Sequence, residues 1–258
     1  MLKGLYTGWT GMINEQNRLD VTSNNLANAA TVGFKKEGST SQTFKEALAY
    51  KIKDASENPN IAKNIGANTP GVKIGETYTD YTQGGLKETG NDTDMAISGN
   101  GFFNIEYTDK DGNTSTKYSR AGTFTVNTDG YLVTEDGDYV LGTNNARIRV
   151  NPRMPISTAS DGTIFQDGTQ VGQIGLTDFA DYNYLEHFGE NLYQTVAGAR
   201  AQASTATITS GYLENSNVEV VKEMVDMIAI NRAYETGQKV IQTQDGALEI
   251  AVNQIGKL

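Results

Sequence analysis

The sequence predicts an α+β protein in which a discontinuous coiled-coil α-domain, made from both termini, carries an inserted antiparallel β-rich body. Two observations predict this fold class. Apolar side chains at both ends of the chain recur in alternating steps of three and four residues, the period of a helix that packs along a narrow seam. Between the ends this period disappears, and Asp-Gly pairs flanked by alternating apolar residues predict β-hairpins.

The first predicted helix begins close to the N-terminus. Three glycines within its first eleven residues weaken it, each by roughly 0.5–1 kcal/mol relative to alanine. We therefore expect this segment to be marginal on its own and to need a partner. Its apolar seam, interrupted only by Gln16, consists of Leu2, Leu5, Trp9, Met12 and Leu19.

The helix is expected to end in an asparagine-rich block, SNNLANAATVGFKKE, at residues 23–37. Asparagine is a poor helix former because its amide competes for backbone hydrogen bonds. Gly33 is predicted to be a left-handed C′ stop, with Phe34 as a packing anchor just beyond it. We expect residues 33–36 to be exposed.

The middle of the chain is predicted to be extended. Residues 37–76 form a connector with a short helix near 42–53, and residues 77–210 form the β body. The Asp129-Gly130 turn is predicted to join a strand at 124–126 to a strand at 131–133. Further strands are predicted at 95–97, 102–105 and 171–176.

Residues 211–258 are predicted to form a long C-terminal helix, with Ser216 or Asn217 as its N-cap. An uninterrupted seam of this length exceeds an ordinary globular helix and indicates a coiled coil that neighbouring copies of the chain cover. Its polar slots, Asn231, Gln238 and Asp245, either fix the register or face water. The apolar seam positions are Val220, Met224, Met227, Tyr234, Ile241, Leu248, Val252 and Ile255.

Composition excludes several classes of function. The chain has no cysteine, which excludes disulfides and thiolate chemistry, and its net charge of −10 argues against nucleic acid as a partner. The sequence contains no run of 18 apolar residues, so no membrane-spanning segment is predicted. The N-terminus lacks the features of a cleavable signal peptide. His187 is the single histidine and is expected in a β-body loop, and the segment after Asp109 fails the calcium-loop pattern. We predict no catalytic residue, no cofactor and no metal.

Five motifs follow one another along the whole chain. They are NNLAN with TVGFK (24–35), AISGNGFF (96–103), YSRAGTF (118–124), GENLY (189–193), and SNV, EMV and RAYE within 216–235. Together they resemble the signatures of the rod and hook family of bacterial flagellar axial proteins, and among its members the distal-rod proteins most. The chain departs from the family at Asn231, where glutamine is usual, and at Thr236-Gly237, where we expect lower helix stability.

The resemblance implies a structural subunit of the flagellar basal-body rod, a hollow helical homopolymer that transmits motor torque to the hook and lets export substrates pass. The helices within 1–36 and 211–258 would form an inner α-domain, with the β body facing outward. The implied partners are other rod and hook proteins and the flagellar type III export apparatus, which would export the chain without a cleavable signal peptide.

The same resemblance implies a role for the asparagine-rich block. Asn24, Asn25, Leu26, Asn28 and Phe34 would form a joint between the helical core and the connector and touch adjacent subunits, as would the seam residues of both helices. The alternative at this point is a frayed helix end with surface amides. Alternatives for the whole chain are a proximal-rod or hook subunit, and a binding module or adhesin on a coiled-coil stalk.

Overall fold

A computed structural model describes residues 2–45, 47–51, 63–68, 71–189 and 191–255. The protein is α+β, with one long helix at each end of the chain and an antiparallel β-rich region between them, as the sequence predicts. It divides into two compact units. The helical unit consists of Met1–Leu26, Glu37–Thr79 and Val220–Leu258, and the β unit consists of Ala27–Lys36 and Asp80–Glu219.

Both terminal helices are shorter than the predicted helical segments. Helix α1 spans Leu2–Ala27, and helix α2 spans Val220–Ile250 and continues into one π-helical turn, Ala251–Ile255. Gly33 has the predicted positive φ of 71°, but it lies six residues beyond α1, so it is not the C′ stop of this helix. The predicted N-cap is also wrong, because α2 begins three residues after Asn217, whose side chain bonds the backbone of other segments.

All strand pairs among the described residues are antiparallel. The strands are β1 Glu37–Thr43, β2 Ala47–Lys51, β3 Lys63–Asn68, β4 Val72–Thr79, β5 Leu86–Glu88, β6 Met95–Ser98, β7 Phe102–Thr108, β8 Thr114–Ser119, β9 Phe124–Val126, β10 Leu132–Thr134, β11 Tyr139–Val140, β12 Ser157–Thr158, β13 Thr163–Gln166, β14 Thr169–Gln173, β15 Leu176–Phe179, β16 Leu185–Phe188, β17 Leu192–Thr195, β18 Ala201–Ala203, β19 Thr207–Ser210 and β20 Tyr212–Glu214. A short 3-10 helix, Tyr182–Tyr184, precedes β16.

The largest sheet has nine strands, with β16-β17-β8-β7-β11-β10-β9 as its main path and β15 joining β7 to β18. The predicted hairpin is confirmed: β9 and β10 pair across the Asp129-Gly130 turn, with Leu132 opposite Val126. The predicted strand at 171–176 is two strands, since β14 ends at Gln173 and β15 starts at Leu176.

The connector is not helical where it is described. The predicted short helix near 42–53 falls on the end of β1 and on β2, while residues 46, 52 and 53 lie outside the described residues. Strand β1 pairs with β4, from Glu37 opposite Thr79 to Thr43 opposite Val72, and β2 pairs with β3. Alanine, leucine, lysine and glutamate within 45–51 favour a helix locally, so the long-range pairing of these strands outweighs the local helical preference.

Strand β7 separates the two apolar clusters of the β unit. Successive side chains of a strand point to opposite faces, and Phe103 and Ile105 enter a cluster that also contains Met95, Phe124 and Leu132. On the other face, Phe102 packs in a smaller aromatic cluster with Phe179, Leu185 and Tyr193. Because β7 is covered on both faces, its first four residues, FFNI, are all buried, although Asn104 is polar.

Candidate functional site

Helices α1 and α2 lie against each other within the helical unit, and small residues allow the close approach. A Cβ placed on Gly8 would lie 3.2 Å from Ile241 Cγ1, and one on Gly237 would lie 2.8 Å from Met12 Cγ. Gly4 faces Gln244 in the same way, so the helices run antiparallel. Gly4, Gly8 and Gly237, which lower the intrinsic stability of their helices, are therefore the glycines that let the helices approach.

Asn25 shows what one amide of the asparagine-rich block does. Its side chain is 1% exposed, Nδ2 donates to the carbonyl of Glu37 at 2.8 Å, and the Glu37 N–H donates to Oδ1 at 2.9 Å. The amide thus satisfies both backbone groups at the start of β1, as a neighbouring strand would. Farther along the same face, Ser41 Oγ donates to the buried Asn14 Oδ1 at 3.1 Å. The polar face of α1 is covered by the β1–β4 ribbon.

A third face of the helical unit is apolar and exposed. Most of the large apolar side chains that are exposed in the described chain lie on α1 and α2. In the first turns of α2, Val221 is 71% exposed, Val225 60% and Ile228 54%. These residues are spaced at i, i+4 and i+7, so they form one stripe on one side of the helix.

The predicted interface residues separate into three classes of burial. The exposed residues are Trp9, Asn24, Met224, Asn231, Gln238 and Val252. The half-buried residues are Leu5, Met12, Leu19, Leu26, Asn28, Met227, Tyr234, Ile241 and Leu248. The buried residues are Asn25 and Phe34, and the side chain of Ile255 lies outside the described residues. Along the α2 seam, exposed slots alternate with half-buried ones. One side of the seam is therefore occupied within the chain and the other is open.

In the segment that follows α1, residues 33–35 are buried in the β unit and Lys36 is half-buried, contrary to the exposure that the sequence suggests for residues 33–36. Phe34 is 2% exposed and packs edge-on against His187, with 6.3 Å between ring centroids. Gly33 donates its N–H to the carbonyl of Glu214 at 2.8 Å, and a Cβ there would lie 2.7 Å from Ala121 Cα. Only glycine combines this φ with such close backbone contact.

Lys35 enters a buried ion cluster with Glu214 and Arg120, whose side chains are at most 3% exposed. Lys35 Nζ donates to Glu214 Oε1 at 2.6 Å and to the carbonyl of Thr82 at 2.7 Å. Arg120 Nη1 donates to Glu214 Oε2 at 3.2 Å, and the Gly84 N–H donates to Oε1 at 2.9 Å. One carboxylate thus accepts from two cations and a backbone amide.

Burial lowers the pKa of the Lys35 ammonium below its ordinary value, and the Glu214 carboxylate acts against that shift. In the neighbouring aromatic cluster, burial raises the pKa of Tyr182 to about 12, helped by the hydrogen bond that Tyr182 donates to Asp178 Oδ1 at 2.7 Å. Both groups are held by partners within the β unit, so their electrostatics stabilise the fold.

The motifs that are far apart in sequence meet in this part of the β unit. Arg120, from YSRAGTF, donates from Nη2 to the carbonyl of Gly99 at 2.8 Å and lies 5.4 Å from the ring centroid of Phe102, both from AISGNGFF. Tyr193, from GENLY, packs on Phe102 at 5.5 Å. Asn217, from SNV, accepts from the Lys36 N–H at 2.7 Å. We call this set the motif junction, made by residues 33–36, 80–84, 99–102, 120, 193 and 214–217.

The ion cluster of Lys35, Arg120 and Glu214 was not predicted from the sequence. Lys35 and Arg120 stand within motifs, and a lysine or arginine among glycines and aromatic residues is a signal of buried pairing that could have drawn attention to them. Glu214 lies two residues before SNV and carries no local signal.

Among the described residues, no group of three or more His, Asp or Glu side chains is placed so that it could hold a metal ion. His187 lies in strand β16, not in a loop, and its ring packs edge-on against Tyr193 at 5.4 Å. Within the same part of the chain, no helix is long and apolar enough to cross a membrane.

Three family models match the chain in order. The model described as "Flagella basal body rod protein" matches residues 5–35, "Flagellar hook protein FlgE/F/G D1 domain" matches 96–171, and "Flagellar basal body rod FlgEFG protein C-terminal" matches 209–255. The flagellar basal-body rod protein FlgG of Bacillus subtilis is 35% identical, over 98% of this chain and 99% of that protein. The chain belongs to the flagellar rod and hook protein family.

Other members of this family are similar over nearly their whole length. The rod protein FlgF of Caulobacter vibrioides is 34% identical over all of both chains, and the rod protein FlgG of Agrobacterium fabrum is 39% identical over 95% of this chain and 96% of that protein. The resemblance stated from the motifs is confirmed. The chain is a structural subunit of the flagellar basal-body rod type.

Proposed function

We propose that this protein polymerises, through its helical unit, into the hollow helical rod of the flagellar basal body. The observation that carries the proposal is the exposed apolar surface of α1 and α2. Burying one large apolar side chain stabilises an assembly by about 1.5–3 kcal/mol. The stripe formed by Val221, Val225 and Ile228 is a continuous surface of the kind that marks protein–protein contacts.

The seam of α2 supports a coiled-coil arrangement of helices between copies. Met227, Tyr234, Ile241 and Leu248 follow one another at seven-residue intervals and are half-buried within the chain. The alternate slots, which include Asn231, are open to a neighbouring copy or to the channel of the rod. Polar side chains at such slots fix register when a partner helix covers them.

The remainder of the proposal follows the names of the relatives, which are basal-body rod proteins. It includes assembly with other rod and hook proteins, a place in the basal body, passage through the flagellar type III export apparatus, and torque transmission to the hook. The length of the connector and the modest size of the chain favour a distal-rod subunit over a hook subunit, which carries a larger outer insertion, and a proximal-rod subunit is the alternative.

The experiment is a concentration series of the purified chain, followed by sedimentation velocity and electron microscopy. Open-ended filaments are expected, and Val225→Asp should prevent them because it places a charge in the apolar stripe. Val171→Asp is the matched control, since Val171 is an exposed valine of the β unit. A closed oligomer of fixed size would favour the stalked binding module, and a chain that stays monomeric at every concentration would reject self-assembly.

A further inference from the structure

A groove of about 530 Å³ runs along one side of the α1–α2 pair. Small side chains form much of its lining, among them Gly8 and Gly11 on α1 and Ala233 and Gly237 on α2. A Cβ added at Gly11 would meet no atom within 4 Å, so the groove is open above this residue. A groove of this kind accepts large side chains from another surface, as a hole accepts a knob in packed helices.

The groove also contains a polar group without a partner. Gln244 Oε1 is buried and accepts no hydrogen bond from the described residues. An unsatisfied buried acceptor destabilises the chain that contains it. The groove therefore calls for an occupant that is mainly apolar and brings one hydrogen-bond donor.

The same helix carries side chains of this chemistry on its exposed face. Tyr6 is 46% exposed, Trp9 51% and Ile13 39%, and the rings of Tyr6 and Trp9 pack together with 5.7 Å between centroids. The indole N–H is a donor only, and the tyrosine hydroxyl also donates. Aromatic residues of this size bury about 150–250 Å² each when covered, which makes them strong anchors of an interface.

The aromatic pair and the groove lie on opposite faces of α1. Tyr6 follows Gly4 by two residues and Ile13 follows Gly11 by two residues, and an α-helix turns by about 100° per residue. Each aromatic-face residue is therefore rotated by about 200° from a groove glycine. A molecule cannot fill its own groove with this pair, and two molecules that meet through pair and groove leave one of each free.

We propose that the Tyr6–Trp9 pair of one copy occupies the α1–α2 groove of the next copy. The contact is heterologous, because it joins different surfaces of the two copies. Such contacts do not close into a dimer but propagate, either into a ring or into a helical filament. This inference rests on the proposed self-assembly and identifies one contact that contributes to it, beside the apolar stripe on α2.

Two glycine variants separate a blocked groove from a general effect on the helices. Gly11→Leu places a side chain in the groove. Gly246→Leu is the matched control, because Gly246 is also a helical glycine with nothing within 4 Å of an added Cβ, and it does not line the groove. Gly11→Leu and Trp9→Ala are expected to raise the concentration needed for assembly by more than about tenfold, whereas Gly246→Leu should assemble like the unmodified chain. Far-ultraviolet circular dichroism checks that all variants keep their helix content.

Trp9 is the only tryptophan of the chain, so its fluorescence reports on this contact directly. We expect its emission to shift to shorter wavelength as the unmodified chain assembles, and the Gly246→Leu variant should show the same shift. In mixtures, Trp9→Ala keeps an intact groove and Gly11→Leu keeps an intact aromatic pair. These two variants should form a 1:1 complex that grows no further, since only one heterologous contact is possible between them.

Three results would overturn the inference while leaving self-assembly intact. These results are filaments that form with Trp9 emission unchanged, assembly of Gly11→Leu as readily as Gly246→Leu, and filaments formed by Trp9→Ala and Gly11→Leu together. Absence of any assembly by the unmodified chain would instead reject the proposed function itself.

Discussion

The Glu214→Gln variant is expected to lower the melting temperature of the β unit strongly. Glu214 is fully buried and, among the described residues, is the only carboxylate that bonds both Lys35 and Arg120. A glutamine of nearly the same shape still accepts from the Gly84 N–H, but it leaves two buried cations without a counter-charge. The free energy of unfolding falls because those cations are solvated by water in the unfolded chain and not in the folded one.

The magnitude follows from the burial of the pair. Removing one partner of a buried ion pair costs about 3–5 kcal/mol. The β unit has about 150 residues, for which each kcal/mol shifts the melting temperature by about 2–4 °C. We therefore expect a decrease of about 6–20 °C. Lys35→Met should cost less, because Glu214 keeps the Arg120 guanidinium and one desolvated ammonium is removed.

The assay is thermal unfolding followed by near-ultraviolet circular dichroism of tyrosine, since most tyrosines lie in the β unit, whereas Trp9 fluorescence reports on the helical unit. Glu106→Gln is the matched control. Glu106 pairs with Arg147 at 2.7 Å, but the arginine side chain is 42% exposed, and exposed pairs contribute about 0–1 kcal/mol. If Glu214→Gln melts together with Glu106→Gln, or above Lys35→Met, the cluster does not stabilise the fold as argued.

Three further outcomes are expected. Because the pKa of Tyr182 is raised to about 12, its contribution to stability is present below about pH 10 and is lost as the pH rises towards 12. In urea titrations at increasing pH, Tyr182→Phe should therefore lose less stability than the unmodified chain, and parallel curves would contradict this. Gly33→Ala should lower the melting temperature more than Gly90→Ala. Both glycines have φ near 72°, but of the two only Gly33 has backbone atoms within 3 Å of an added Cβ. Equal decreases would refute the steric argument. Asn25→Ala should lower the free energy of unfolding by about 1–3 kcal/mol for each backbone group left unpaired, measured by urea unfolding with Trp9 fluorescence. Gln16→Ala, at an exposed position, should change it by less than about 0.5 kcal/mol, and equal effects would show that the Asn25 amide is dispensable.

Local patterns in the sequence were sufficient for the secondary structure wherever the backbone preference is set by near neighbours. The Asp129-Gly130 hairpin follows from turn chemistry alone, because the glycine supplies the positive φ that the turn requires. The long period of α2 predicts a helix in the same way. The segment at 42–53 contains the end of β1 and strand β2 instead of the predicted helix, because β4 and β3 pair with these strands.

The contact between α1 and α2 depends on tertiary structure. The sequence placed Gly8 and Gly237 among residues that weaken their helices, which is their effect in an isolated helix. In the folded chain they are the points of closest approach between α1 and α2. Their contribution depends on a partner about 230 positions away in the chain, and helix propensity, which is a local property, does not include such a partner.

By itself the sequence determined the family, the two terminal helices and the antiparallel β body, because motif order, hydrophobic period and turn residues are all local or cumulative signals. Only the tertiary structure showed that residues 33–35 are buried and that Lys35 meets Glu214, 179 positions away. Glu214 carries no mark of such pairing in its own neighbourhood, and the motif around Lys35 does not identify its partner. Their burial is decided by the packing of segments around them, since a buried charge is stable only where the fold supplies its counter-charge and hydrogen bonds.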